Sequence, residues 1–185
     1  NDQYQKQQGA GGVNGPIPYL YYDYDKDDIR RDITCVPYDW SSELVNGKAY
    51  QQLRALNKWC FGKVRYEWMK RIVDNPNDGV NWQYMRLADV YMMAAEAINE
   101  LDGPAAAWPY MKPILDRALP AQKVAALQAK YTASKEAFFN GIVEQRAFEF
   151  AGEMLRKADL IRWGIIDQKM AEAKDKLTRL SNRTG

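Results

Sequence analysis

From Tyr84 onward the apolar positions fall at helical spacing. Leu87, Val90, Tyr91, Ala94, Ile98 and Leu101 recur every three or four residues, which predicts one helix with a single apolar stripe. Gly103-Pro104 stops that helix and starts the next, with proline at an early helical position where its missing N–H costs nothing. Trp108, Met111, Leu115 and Leu119 continue the spacing, and Pro113 is expected to bend the element. Pro120 to Tyr131 reads as a short helix with Val124, Leu127 and Tyr131 as its apolar face. Ser134 is a candidate N-cap, with Glu136 in the first turn, for a longer helix. A break near Gly152 to Met154 would split that helix in two. Gly164 reads as a C-terminal stop, and 167–182 as a final polar helix or frayed tail.

Before Tyr84 neither period is sustained. Residues 1–18 are rich in Gln, Gly, Asn and Pro and read as a loop or frayed end. Residues 19–60 mix Tyr, Asp and turn formers, which predicts short extended pieces and loops held down by aromatic side chains. The expected architecture is mainly all-α, with tetratricopeptide-like helical hairpins over 84–185. A loop-rich aromatic segment over 1–83 is expected to pack on them as part of one structural unit. The strict repeat signature of that class is absent, so the likeness is one of architecture.

Inside the helical pattern from Phe139 to Gly164 stands a ladder of charges: Arg146, Glu149, Glu153, Arg156, Asp159 and Arg162. Residues three or four apart are neighbours on a helix surface, and these signs allow pairing at several steps. Aromatic and aliphatic residues flank the charges on both sides, which predicts a partly buried set of ion pairs. Replacing Arg156 by Met is then expected to cost several kcal/mol if Glu153 or Asp159 is buried beside it, roughly the loss on breaking a buried pair.

Composition narrows the chemistry. A formal net charge of +2, with Lys and Arg scattered among Asp and Glu, argues against nucleic acid as a partner. The absence of histidine removes Ser-His-Asp and Cys-His nucleophilic schemes and the usual zinc sites. Cys35 and Cys60 fit neither a metal site nor a CxxC motif; two separate thiols are the reading taken, one disulfide the alternative. No run of about 18 apolar residues predicts a transmembrane helix. The start at Asn1 suggests a processed or truncated product, so a missing signal peptide says little about localisation.

Three constellations could carry chemistry. Asp23, Asp25, Asp27 and Asp28 have calcium-loop spacing, but an EF-hand loop beginning at Asp23 needs Gly where Asp28 stands and Glu where Thr34 stands, which favours a solvated loop and no metal. Glu144, Glu149, Glu153 and Asp159 could serve as acid/base carboxylates, yet Glu149, Glu153 and Asp159 each have an arginine three residues away. Such pairing lowers a carboxylate's pKa, the opposite of what a general acid needs. The rings Tyr19, Tyr21, Tyr22, Tyr24, Tyr38, Trp40 and Trp82 lie in or beside loops. They either stack on sugar faces, with Tyr22, Tyr38, Trp40 and Trp82 as candidate ligand-binding residues, or pin irregular backbone to the helices. Trp108 and Trp163 sit in helical patterns and read as core.

Two stretches resemble a known family. Arg86-Leu-Ala-Asp-Val-Tyr-Met-Met-Ala-Ala-Glu-Ala-Ile-Asn-Glu100 is similar to the arginine-led helix of the SusD/RagB family of outer-membrane nutrient-binding lipoproteins. Ile142 to Gly164 resembles that family's Glu-Arg … Arg-Trp-Gly motif, with Arg146, Glu149, Glu153, Arg156, Asp159, Leu160, Arg162, Trp163 and Gly164 on matching positions. Weaker echoes occur at Asp28-Ile29-Arg30, where the family has Asp-Pro-Arg, and at Gly62-Lys63. Gln145 stands where the motif has its first Glu, Met154 stands where it has Gly, and the usual Asn-x-Val-Arg-x-Arg-Ala segment is reduced to Asp116-Arg117-Ala118.

The resemblance implies a non-enzymatic protein at the bacterial cell surface, used in polysaccharide utilization. It would need no cofactor, bind oligosaccharide or sometimes peptide, and act as a lid on a SusC-like TonB-dependent transporter. Arg86, Glu96, Arg146, Glu149, Glu153, Arg156, Asp159 and Arg162 would then form a structural ion-pair motif. Much of the family's length, including its lipid-anchored N-terminus, lies outside this chain, which therefore reads as a fragment of the C-terminal half. The alternatives are a helical-repeat scaffold for protein docking and an all-α carbohydrate-active enzyme.

Overall fold

A computed structural model describes residues 15–64 and 83–183. Among the described residues two short helices, α1 (Tyr19–Asp23) and α2 (Ile29–Thr34), come first, where the sequence predicted only loops and extended pieces. Short strands follow: β1 (Cys35–Val36), β2 (Tyr38–Trp40), β3 (Gln51–Leu53) and β4 (Cys60–Phe61). The other α-helices among the described residues are α3 (Leu87–Asp102), α4 (Pro104–Ala118), α5 (Ala121–Tyr131), α6 (Lys135–Glu149), α7 (Arg156–Arg162) and α8 (Ile166–Asn182). The protein is mainly helical. Its described residues sort into two compact units, one of 24–31 and 83–170, the other of 15–23, 32–64 and 171–183.

In the first of these units α3 packs on α4 and α6, and α5 packs on the same two helices. A single residue, Gly103, joins α3 to α4; at φ 89° it adopts a conformation few side chains tolerate, and its N–H closes on the Ile98 carbonyl at 3.1 Å. Met92, Trp108, Met111, Leu115, Tyr131, Phe138, Ile142 and Phe150 fill the space between the helices. Each such side chain contributes about 1.5–3 kcal/mol on leaving water. Gly141 lets α6 approach the Tyr131 ring, for a Cβ there would lie 2.7 Å from it. Ser134 caps α6 as expected, its Oγ accepting from the Ala137 N–H at 3.0 Å.

The predicted stripe on α3 is displaced. Leu87 and Leu101 are 68% and 79% exposed, while Ala88, Asp89, Met92, Ala95 and Asn99 face inward. The buried face carries alanines and two polar residues with partners: Asp89 meets Arg146, and the Asn99 amide donates to the Lys135 carbonyl at 3.0 Å. Periodicity weighted by large apolar residues cannot see such a face. Tyr91 and Ile98, at its edge, do pack against the core.

The stretch after Ser134 divides where the glycine suggested. α6 stops at Glu149 and α7 starts at Arg156, with Gly152 and Met154 both in the left-handed region at φ 81° and 63°.

The other unit contains two small antiparallel ribbons. β1 pairs with β4 in the register Cys35 with Phe61 and Val36 with Cys60. Cross-strand partners share a face and successive residues alternate, so Cys35 and Cys60 point to opposite faces of the ribbon. The two thiols are accordingly not joined. β2 pairs with β3 in the register Tyr38 with Leu53, Asp39 with Gln52 and Trp40 with Gln51. The C-terminal part of α8 is tied to α1 by the Lys176–Asp23 pair at 2.6 Å, with the ammonium 5.4 Å from the Tyr19 ring centre. No described helix is long and apolar enough to cross a membrane.

Candidate functional site

The β2–β3 ribbon sorts its side chains by chemistry. Alternation and register put Tyr38, Trp40, Gln51 and Leu53 on one face, and Asp39 and Gln52 on the other. Tyr38 and Trp40 are half-buried and meet edge to face, with ring centres 5.9 Å apart at 82°. Two rings fixed at that angle, beside an exposed amide and an exposed leucine, make an apolar ledge with one hydrogen-bonding edge. Such a ledge suits C–H-rich faces of a flat polyol.

Tyr22 is 61% exposed and stands edge-on to Tyr21, which in turn meets Trp59 at 5.3 Å. Trp82 lies outside the described residues. Tyr24 takes the pinning role: it is buried, its hydroxyl donates to the Phe148 carbonyl at 2.8 Å, and its ring lies 4.5 Å from that of Phe148. The aspartates nearby do not form a calcium loop. Asp25 accepts from Lys123 and from the Asp27 N–H, Asp28 is bound to Arg30, and no group of three metal-ligating side chains occurs among the described residues.

The charged ladder gathers around Glu149, at the end of α6. Its carboxylate receives Arg86 Nη1 at 2.6 Å, Arg30 Nη1 at 3.1 Å, and Arg117 Nη2. Burial alone would raise its pKa. Hydrogen bonds from Arg117 and Arg86, and the charges of Arg30 and Arg86, outweigh burial and hold the carboxyl below its ordinary range. A carboxylate kept ionised in this way is unsuited to general-acid work. Arg86 also grips Glu153 through two nitrogens at 2.7 and 2.9 Å, and its guanidinium lies 4.6 Å from the centre of the Phe150 ring.

A second node forms on Arg146, whose guanidinium is almost fully buried. It reaches Asp89 on α3 and Asp159 on α7, each at 2.7 Å, and lies 4.8 Å from the Phe150 ring centre. Glu96 accepts from Arg162 at both oxygens and from the Trp163 indole at 2.9 Å. Burial pushes its pKa up, and the Arg162 and Trp163 donors bring it below the usual value. Arg156 donates to the Val143 carbonyl at 2.8 Å, so it ties α7 to the backbone of α6.

Pairing along a single helix was the expectation from spacing, and Asp159–Arg162 keeps it at 3.3 Å. The pairs on Arg146, Glu149 and Glu96 instead join different elements. The helix ends at Glu149, which leaves Glu153 in the following turn and Arg156, Asp159 and Arg162 on α7, and a buried charge needs partners from the elements that bury it.

Two members of the Glu149 cluster were only faint in the sequence. Asp28 and Arg30 are both buried and bound to each other at 2.6 Å, and Arg30 also donates to the side-chain amide oxygen Oε1 of Gln145 at 2.8 Å. The Asp-Ile-Arg echo of Asp-Pro-Arg was the signal that could have found them. Gln145 then passes a hydrogen bond to the Tyr131 hydroxyl at 3.0 Å, which donates to Glu144. An amide suits this place, since it accepts on one side and donates on the other.

Helical hairpins of the tetratricopeptide kind, fastened by buried arginine–carboxylate nodes, make up the helical region. The chain belongs to the SusD family, whose family model matches residues 38–184. A curated relative, SusD-like protein P25 of Formosa agariphila, is 34% identical over 135 residues. The match covers 69% of this chain and 25% of that protein, so the chain spans about a quarter of the relative's length. No solved structure matches.

Proposed function

We propose that the protein binds oligosaccharides at the outer surface of the bacterial outer membrane, without cleaving them, and delivers them to a SusC-like TonB-dependent transporter. Membership of the SusD family supports a nutrient-binding role in polysaccharide utilization. The observation that carries the glycan reading is the Tyr38–Trp40 pair, two rings at 82° on one face of a ribbon beside Gln51. Binding without bond cleavage agrees with the commitment of Glu149, Glu153 and Asp159 to arginine partners. Tyr22 and Trp82 are further stacking candidates. Capture by stacking needs no cofactor and no nucleophile.

Isothermal titration of the full-length protein against a panel of oligosaccharides, with product analysis in parallel, tests the reading. Saturable heat without product release supports it. Trp40→Ala or Tyr38→Ala should weaken binding about tenfold, the worth of one aromatic contact. Steady hydrolysis would overturn it in favour of an enzyme. Binding only to peptides or to the barrel, with both ring variants neutral, would favour the peptide-binding or scaffold alternative.

A further inference from the structure

We infer that Arg54 is the positioning residue of the Tyr38–Trp40 ledge, bracing β2 from behind; the inference rests on the proposed glycan-binding role of those rings. A ribbon of two three-residue strands is too small to hold its own shape in water. Something must fix it. Arg54 follows directly on β3, and three of its groups reach three other points. Its backbone N–H donates to the Pro37 carbonyl at 2.8 Å, one residue before β2. Its Nε meets the Asp39 carboxylate at 2.7 Å. Its Nη1 lies against the Cys60 sulfur on β4, in the neighbouring ribbon.

The alternation along β2 gives this brace its meaning. Asp39 lies between Tyr38 and Trp40 and projects from the opposite face, so a hold on Asp39 fixes the strand that carries both rings without occupying the ledge. The Cys60 contact ties the β2–β3 ribbon to the β1–β4 ribbon, where strand pairing alone gives no link. The Arg54 side chain is 16% exposed, against 49% for Asp39, as expected of a fork set between two ribbons. A planar guanidinium can serve two partners in fixed directions, whereas an ammonium is a single point charge. Arg54 touches no ligand in this scheme; it sets the angle between two rings that do.

Two readouts on the full-length protein test the brace. The first is the near-ultraviolet circular dichroism of the Tyr38–Trp40 pair, isolated by subtracting the spectrum of Trp40→Phe. The second is oligosaccharide affinity. Arg54→Met should abolish most of the paired-ring signal and weaken glycan binding about tenfold, as loss of a supporting contact does at a site on short elements. Its helical far-ultraviolet signal should be unchanged. Arg54→Lys, which can keep Asp39 but cannot fork to Cys60, should fall between. The exchange of Asp39→Arg with Arg54→Asp should restore part of the signal that Arg54→Met removes. An unchanged ring signal and affinity in Arg54→Met would overturn the brace while leaving the glycan reading in place. Glycan binding indifferent to Tyr38→Ala and Trp40→Ala would sink the glycan reading, and the ring signal would still decide the brace. Should Arg54→Met not fold, the lysine variant and the exchange carry the test.

Discussion

The Glu149 carboxylate and the Arg30 guanidinium lie 3.1 Å apart although 119 positions separate them, and both side chains are nearly withdrawn from water. Breaking such a pair strands a charge inside the protein. Replacing Arg30 by Met should therefore cost about 3–5 kcal/mol, since Asp28 and Glu149 both lose a buried partner. Urea unfolding measures it, with Lys112→Met as comparison. That lysine pairs with Asp116 on the surface of α4, and its loss should stay within about 0.5 kcal/mol. Equal effects for the two variants would show that water reaches the Glu149 cluster.

Acid should weaken the Glu149 cluster and the Glu96–Arg162 pair. Glu149 and Glu96 have folded-state pKa values below the ordinary 4.5, so folding favours their charged forms. Their contribution is full above the unfolded value and is lost as pH falls through the lowered folded values. Urea midpoints should thus hold steady from pH 7 to about 5 and decline below about 4.5. In Glu149→Gln the decline should be shallower, because one of the linked protons is gone. An unchanged slope would locate the acid sensitivity elsewhere.

Met154 occupies a place that glycine suits better. Its φ is 63° and its side chain is 83% exposed, so it bears left-handed strain with little packing in return. Met154→Gly should raise stability by about 0.5–1 kcal/mol, the strain of a left-handed residue less the added freedom of the unfolded chain. Thermal melting reads the change. A lower midpoint would mean that the methionine makes a contact worth more than the strain.

Gly141 offers the converse case. A methyl group there meets the Tyr131 ring at 2.7 Å, and that ring is buried and bonded at its hydroxyl to Gln145 and Glu144. Gly141→Ala should destabilise by about 1–3 kcal/mol despite the better helix propensity of alanine, because the ring has nowhere to retreat. A gain in stability would show that α5 can shift away from α6.

Legibility followed the range of the interactions. Gly103-Pro104, Ser134 and the break at Gly152 act within a few residues, and each stands where the chain places it. The face of α3 was misjudged because its buried positions are small or polar, and the reason for burying Asp89 lies on α6 at Arg146. Among the rings, Tyr24 looked like its neighbours in the sequence. Its burial and its contacts with Phe148 set it apart from Tyr38 and Trp40, which share a strand face. Arg54 carried no sequence signal, since nothing local distinguishes an arginine that braces two ribbons from one that is solvated.

The sequence by itself determined the helical class, the order of the hairpins, the caps and the family, because periodicity, turn chemistry and motif spacing are properties of neighbouring residues. Tertiary structure decided which charges meet. Arg30 with Glu149, Arg86 with Glu153 and Arg146 with Asp89 are chosen by the elements that bury them together, and a buried ion tolerates no unmatched partner. It also decided that Cys35 and Cys60 stay apart, since strand register sets them on opposite faces of one ribbon.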